Sequence, residues 1–416
     1  MNKLARAVHP LVLASAVAAG CGANGGTQSA SVPVPARSPS DPEVIIGERV
    51  SIDSKVLGER RGLLVYRPPD CATAGTCPVA YLLDGDAHFH HVTGLIQFLS
   101  MQERMPRVIL VGLSNVDRAR DFTPTRDEQL ATSGGADRFL EFLESELVPS
   151  IERHYSAARY RILIGHSLGG LFAVHALNQK PGLFDAYVSI SPSLGWGSRV
   201  MQRQTEALLI ANPTLDRVLY LTVGRERADL VDSTRAYADL LGVRAPSTLR
   251  WRFEELPGED HGSIVHRGIY RGFELVFAGW TAPVELDTIA ALERHHRGLA
   301  ARFGIEVKVP ERSLNSLGYR MLGAGRVDDA IAAFRRGVEL YPESANIHDS
   351  LGEAFERKGD RDAAIESYEL AVRHAARNRD PMLESYLGHL GRLRSAPKPS
   401  PKAAPAAAQP AWTPAR

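Results

Sequence analysis

The segment YRILIGHSLGGLFAVHAL at 160–177 reads as a buried strand, a glycine-rich turn and an apolar helix. Its centre, Gly165-His166-Ser167-Leu168-Gly169, has the GxSxG spacing of a nucleophile elbow, in which a strained turn lifts a serine hydroxyl above a sheet. Glycine at 165 and 169 leaves room for that backbone. A hydroxyl is a poor nucleophile until a base takes its proton, so acyl transfer at Ser167 requires a histidine later in the chain, oriented by an acid. His261, in PGEDHGS at 257–263, lies in a loop between an expected strand and an expected helix, where a base would be delivered. His154, His166, His175 and His266 fall at a helix end, in the elbow or on helices, where packing or surface roles fit better. The acid belongs after the strand expected at 218–223, which makes Glu226 the first candidate, with Asp229 and Asp232 a turn further on. If Glu226 instead pairs with Arg225 or Arg227 at the surface, a Ser-His dyad carries the chemistry. An oxyanion needs two backbone donors, expected from Leu168 after the nucleophile and from Asp86 after YLLDG at 81–85. The Asp86 side chain can also orient substrate or simply face water.

These residues need a scaffold of alternating strands and helices, and the chain supplies one between 44 and 280. Apolar strands are expected at 63–66, 79–83, 108–113, 160–164, 186–190, 218–223 and 249–256, separated by helices. In the helix expected at 137–153, Phe139, Leu140, Leu143, Leu147 and Ile151 fall on one face. Buried apolar strands separated by helices imply an α/β fold, with a mostly parallel sheet covered on both faces.

Weaker constellations also invite chemistry. His88, His90 and His91 cluster in AHFHH, but no acidic or cysteine ligand set accompanies them, so a polar rim is preferred to a metal site. Arg118, Arg120 and Arg126 can receive an anionic substrate, with Arg120 the chosen contact, or they can pair with Asp117, Asp121 and Asp127.

The 416 residues, 44% hydrophobic and 23% charged, are too ordinary for a mainly disordered, collagenous or disulfide-scaffold chain. Lys plus Arg number 49 against 48 for Asp plus Glu, which leaves no basic excess for nucleic acid. Lys3, Arg6 and the apolar run 11–19 before Cys21 read as a secretory signal peptide over 1–21. The sequence Ala18-Ala19-Gly20-Cys21 resembles a lipobox, which implies lipidation of Cys21, and Gly22 after it implies sorting to the outer membrane; ordinary cleavage nearby is the alternative. In such an oxidising, periplasmic compartment a short-range disulfide between Cys71 and Cys77 is favoured. Residues 22–43 read as a flexible linker, 44–282 as the catalytic domain, 283–394 as an all-α domain and 395–416 as a disordered Pro/Ala-rich tail.

The all-α part repeats itself. Leu317-Gly318 matches Leu351-Gly352, Gly325 matches Gly359, Ala330 matches Ala364 and Phe334 matches Tyr368, each 34 residues apart. It resembles tetratricopeptide repeats, with a joining helix at 287–303 and a capping helix at 381–393. A peptide or protein partner on its concave face, or a packing role, would follow.

YLLDG at 81–85, GHSLGG at 165–170, SPSLGW at 191–196 and EDHGS at 259–263 together resemble the putative-esterase family of α/β-hydrolases. NVDRARDFTP at 115–124, followed by the Gly134-Gly135-Ala136 helix start, is most similar to its siderophore-esterase branch. The resemblance implies Ser167 as nucleophile, His261 as base, Asp86 and Leu168 as oxyanion donors, no cofactor and a small-molecule ester substrate. Some members of that branch use a Ser-His dyad, so the resemblance leaves the role of Glu226 open. Trp196 should line the acyl pocket, with Gly195 where relatives often carry another aromatic. An acyltransferase with the same triad, or an inactive hydrolase-fold scaffold acting through its repeats, are the alternatives to an exported serine esterase.

Overall fold

The structure is a computed structural model that describes residues 44–72, 75 and 77–396. The expected signal peptide with Cys21, the linker and the tail from 397 onward lie outside the described residues.

Eight strands form one sheet: β1 (Glu48–Ser54), β2 (Glu59–Tyr66), β3 (Val79–Leu82), β4 (Ile109–Leu113), β5 (Arg161–His166), β6 (Ala186–Ile190), β7 (Val218–Gly224) and β8 (Arg250–Leu256). Their order is β1-β2-β4-β3-β5-β6-β7-β8, antiparallel across β1, β2 and β4 and parallel from β4 onward. β1 is absent from the strands expected from sequence, because most of its residues are exposed or half-buried and it carries no apolar run. The catalytic-domain helices are α1 (Gly85–Met101), α2 (Arg118–Phe122), α3 (Ala136–Phe142), α4 (Val148–Tyr155), α5 (Leu168–Gln179), α6 (Trp196–Ala211), α7 (Ala228–Arg244) and α8 (Ile264–Val276).

Successive side chains of a strand point to opposite faces, and each face has its own core. Val79, Tyr81, Leu163, Leu219 and Leu221 meet Phe122, Phe139, Leu171 and Tyr237 of the helices on one side. Ala80, Leu82, Ile162, Ile164 and Tyr220 meet Ile96, Ile269 and Phe273 on the other. The helix expected at 137–153 is interrupted: α3 passes through a π-turn at Leu143–Leu147 before α4. Pro149 lies in the first turn of α4 and has no N–H to give the preceding turn, so the hydrogen-bond register widens there. Cys71 and Cys77 are joined by a disulfide.

The second part is built from α9 (Ile289–Phe303), α10 (Glu311–Gly323), α11 (Val327–Leu340), α12 (Ala345–Lys358), α13 (Arg361–Asn378) and α14 (Leu383–Ser395). The two helical hairpins α10–α11 and α12–α13 carry the 34-residue repeat. Helix α9 bridges the parts: Leu299 and Phe303 pack into the catalytic domain's second core, while Leu292 packs among the repeats. Arg302 donates to the carbonyls of Val276 and Ala278 at 2.7 Å each, closing the C-terminal end of α8.

A Cβ at Gly318 would fall 2.4 Å from the Phe334 ring, and one at Gly352 would fall 2.7 Å from Tyr368. The small residue of each hairpin is therefore what admits its partner's aromatic ring. Gly318→Ala should destabilise the repeats by about 1–3 kcal/mol despite alanine's better helix propensity. A rise in unfolding midpoint, measured in denaturant, would contradict this.

Candidate active site

Ser167 sits at the tip of β5 with φ +59° and ψ −115°, a conformation strained for a residue with a side chain. The turn closes so tightly that a Cβ at Gly165 would lie 2.1 Å from the Gly169 carbonyl oxygen. The Ser167 N–H donates to the Ile190 carbonyl at 2.9 Å, which fixes the elbow to β6. Leu168 opens α5 and Asp86 lies in the first turn of α1, so both N–H groups stand where a helix has no internal acceptor for them. Asp84 caps α1 in the left-handed region at φ +55°.

The strand order brings the remaining groups alongside. Glu226 follows β7 and His261 follows β8, and His261 Nδ1 lies 2.6 Å from Glu226 Oε2. The other oxygen of that carboxylate accepts from Ser191 Oγ at 2.5 Å and from the Gly224 N–H at 3.0 Å. Burial pushes the Glu226 carboxyl up, but the hydrogen bonds from Ser191, His261 and Gly224 outweigh it and hold its pKa below the ordinary value. The Glu226 side chain is 3% exposed and that of His261 45%, so the acid is sealed while the base faces the cavity. The other candidate acids point elsewhere, Asp229 to Arg227 at 2.5 Å and Asp232 to Arg235 at 3.6 Å.

Ser167, His261 and Glu226 line one cavity of about 550 Å³, together with Ser193, Arg225, Arg227, Leu230 and Asp260. Trp196 lines a smaller hollow of about 150 Å³ that shares Ser193, Arg227 and Leu230 with it, and its Nε1 donates to Thr125 Oγ1 at 3.0 Å.

Of the two roles the sequence offered Arg120, substrate contact or an ion pair within its loop, the structure shows the ion pair, with Asp121. Its guanidinium donates to both Glu59 oxygens at 3.1 and 2.6 Å and to Asp121 at 2.8 Å, and Asp121 also receives Arg61. The cavity wall carries Arg225 and Arg227, which the sequence offered only as partners for Glu226, and Arg227 is taken by Asp229. The Asp86 carboxylate is likewise engaged, accepting from Ser114 Oγ at 2.9 Å and the Asn115 N–H at 3.3 Å. His88 and His91 hydrogen-bond to one another at 3.2 Å, and His91 to His266 at 3.1 Å. Among the described residues no group of three or more His, Cys, Asp or Glu could hold a metal ion.

In the sequence, Ser191 has no role beyond its place in SPSLGW. It is fully buried with φ +42°, and a strained, sealed serine at the end of a central strand is the only signal that marks it.

This is the fold and elbow of an α/β-hydrolase. The putative esterase family model matches residues 54–261, and a tetratricopeptide-repeat model matches 316–381. The chain belongs to the putative esterase family and is a carboxylic ester hydrolase. It is 29% identical over 230 residues to the ferri-bacillibactin esterase BesA of Bacillus subtilis, covering 49% of this chain and 80% of that one. It is 28% identical over 246 residues to the siderophore triacetylfusarinine C esterase of Aspergillus fumigatus, covering 50% and 83%. Among solved structures, an IroE-like serine hydrolase from Shewanella oneidensis superposes with a TM-score of 0.61 at 28% identity, over 71% of this chain and 99% of that one.

Ser191→Ala removes a hydrogen bond to a charged group, worth about 1.5–3 kcal/mol, and should lower kcat/KM for an ester roughly tenfold to a hundredfold. Unchanged turnover would show that Glu226 needs no such anchor. A second outcome concerns pH. Burial foremost, then neighbouring imidazoles, hold His166 and His91 at about 4, against an ordinary 6.5 that applies once the chain unfolds. The unfolded chain therefore binds more protons between those values, so this stabilisation is complete above pH 6.5 and is lost as pH falls toward 4. The thermal midpoint should drop on acidification through this window, and His91→Gln should flatten the drop.

Proposed function

We propose that this chain is an exported serine esterase that cleaves a siderophore-class ester through an acyl-enzyme on Ser167. The observation that carries the reading is the His261–Glu226 hydrogen bond beside a strained Ser167 in one cavity. Ser167 Oγ attacks the ester carbonyl while His261 Nε2 takes its proton, and the imidazolium that forms is stabilised by Glu226 at Nδ1. The N–H groups of Leu168 and Asp86 receive the developing oxyanion. His261 then gives its proton to the leaving alkoxide, whose C–O bond breaks to leave an acyl ester on Ser167. Water enters, loses a proton to His261 and attacks that ester; collapse of the second tetrahedral intermediate releases the carboxylic acid and restores the Ser167 hydroxyl.

The substrate class is supported by the names of the relatives and by Arg225 on the cavity wall. Arg225 favours an ester that carries negative charge, as catecholate and carboxylate chelators do, while Arg227 beside it is held by Asp229. Export is supported by the Cys71–Cys77 disulfide, a cross-link characteristic of oxidising compartments. The repeats supply a surface for a protein or peptide partner, and any lipid anchor rests on Cys21 alone.

The test is hydrolysis of p-nitrophenyl esters and siderophore lactones by the chain lacking residues 1–21. Ser167→Ala and His261→Ala should each lower kcat by roughly 10⁴-fold or more, and Glu226→Gln by a comparable factor if it orients His261. A Glu226→Gln loss below about tenfold would leave a Ser-His dyad as the working machinery. A Ser167→Ala variant that retains turnover would overturn the acyl-enzyme.

A further inference from the structure

Arg118, weighed in the sequence as an anion receiver, is held in place by its own fold. Its Nε donates to Asp84 Oδ1 at 2.7 Å and its Nη2 to Asp84 Oδ2 at 3.1 Å. The same Nη2 donates to the His166 carbonyl oxygen at 2.9 Å. The guanidinium also lies over the Phe122 ring, 5.7 Å from its centroid. Asp84 is 6% exposed and receives a further bond from Asn115 Nδ2 at 2.7 Å.

Each anchor lies two residues before an oxyanion donor, Asp84 before Asp86 and His166 before Leu168. In the first turn the anchor Asp84 itself has positive φ and is held by its side chain; in the second the anchor is the His166 carbonyl, and Ser167 after it has positive φ. Their strain must be held by contacts from elsewhere in the fold. One planar fork reaches both turns, which belong to separate βα units. A lysine ammonium, a point charge without the fork, cannot span Asp84 bidentately and the His166 carbonyl together.

We infer that Arg118 is a positioning residue that sets the separation of the two oxyanion donors, Asp86 N–H and Leu168 N–H, by bracing the turns that carry them. The inference rests on the esterase reading of Ser167. It differs from a substrate contact in that the Nε and Nη2 donors are already taken by Asp84 and the His166 carbonyl, leaving those on Nη1, and the two roles part in kcat against KM. The brace acts on the transition state, where the oxyanion forms, and leaves ground-state ester binding nearly untouched.

The test uses the chain lacking residues 1–21 with Arg118→Lys, Arg118→Met and Arg118→Gly, and two readouts: steady-state hydrolysis of a p-nitrophenyl ester, and the rate at which a fluorophosphonate probe labels Ser167. In Arg118→Lys and Arg118→Met, kcat and the labelling rate should fall together by about 10²-fold, the scale of one lost oxyanion donor, with KM changed less than about threefold. Millimolar guanidinium ion should restore part of the loss in Arg118→Gly and none in Arg118→Met, whose side chain fills the site. Arg118→Lys with wild-type kcat would overturn the inference, as would a rise confined to KM, which would make Arg118 a substrate contact. So would a fall in kcat that tracks a lost cooperative unfolding transition in both Arg118→Lys and Arg118→Met, which would make the brace general scaffolding. Wild-type protein that the probe fails to label would instead overturn the nucleophile reading, and the brace with it.

Discussion

The constraint on which the site depends is the closure of the elbow between β5 and α5. At Gly165 the backbone passes so near the Gly169 carbonyl that no side chain fits, and that closeness forces Ser167 into positive φ and lifts its hydroxyl clear of the sheet. A turn this strained persists only where the surroundings over-determine it. Here β6 supplies one restraint through the Ile190 carbonyl and α2 supplies another through Arg118 on the His166 carbonyl. The nucleophile's geometry is thus a property of several elements that are distant in sequence.

The parallel order β5-β6-β7-β8 turns that local constraint into a site. Ligand sites in open α/β sheets form beyond the carboxyl ends of the strands, and here four adjacent strand ends deliver Ser167, Ser191, Glu226 and His261 in turn. Ser191 and Glu226 form a sealed layer beneath, in which the carboxylate is desolvated and yet kept ionised by its donors. His261 stands above that layer with its other nitrogen available, the arrangement a general base requires. Buried charge is tolerated because both carboxylate oxygens that burial strips of water are given donors in exchange.

The helical repeats are joined to this machinery by packing rather than by a loose tether. Phe303 of α9 meets Phe277, Trp280 and Tyr160 with ring centroids between 4.8 and 5.7 Å, so the joining helix belongs to the hydrolase core on one face. Its other end reaches the repeat core through Leu292. Each hairpin then buries an aromatic ring against a glycine, as the 34-residue spacing required.

The sequence by itself determined the elements whose signal is local. The apolar runs from 79 to 223 mark strands buried on both faces, GxSxG marks the elbow through steric demand on two glycines, and the repeat spacing marks the helical hairpins. Glu226 stood first among three acids because it directly follows β7. What the sequence could not rank were relations between distant segments. Arg120 stayed open between a substrate contact and a local ion pair because nothing local shows that Glu59, 61 residues earlier, reaches it from β2. Ser191 read as part of a motif because its hydroxyl acquires meaning only when β6 lies beside β7. The same holds for Arg118, whose two acceptors lie 34 residues before it and 48 after. Spacing along the chain reports backbone conformation, whereas hydrogen bonding across a sheet is decided only when strand order and side-chain direction are set together.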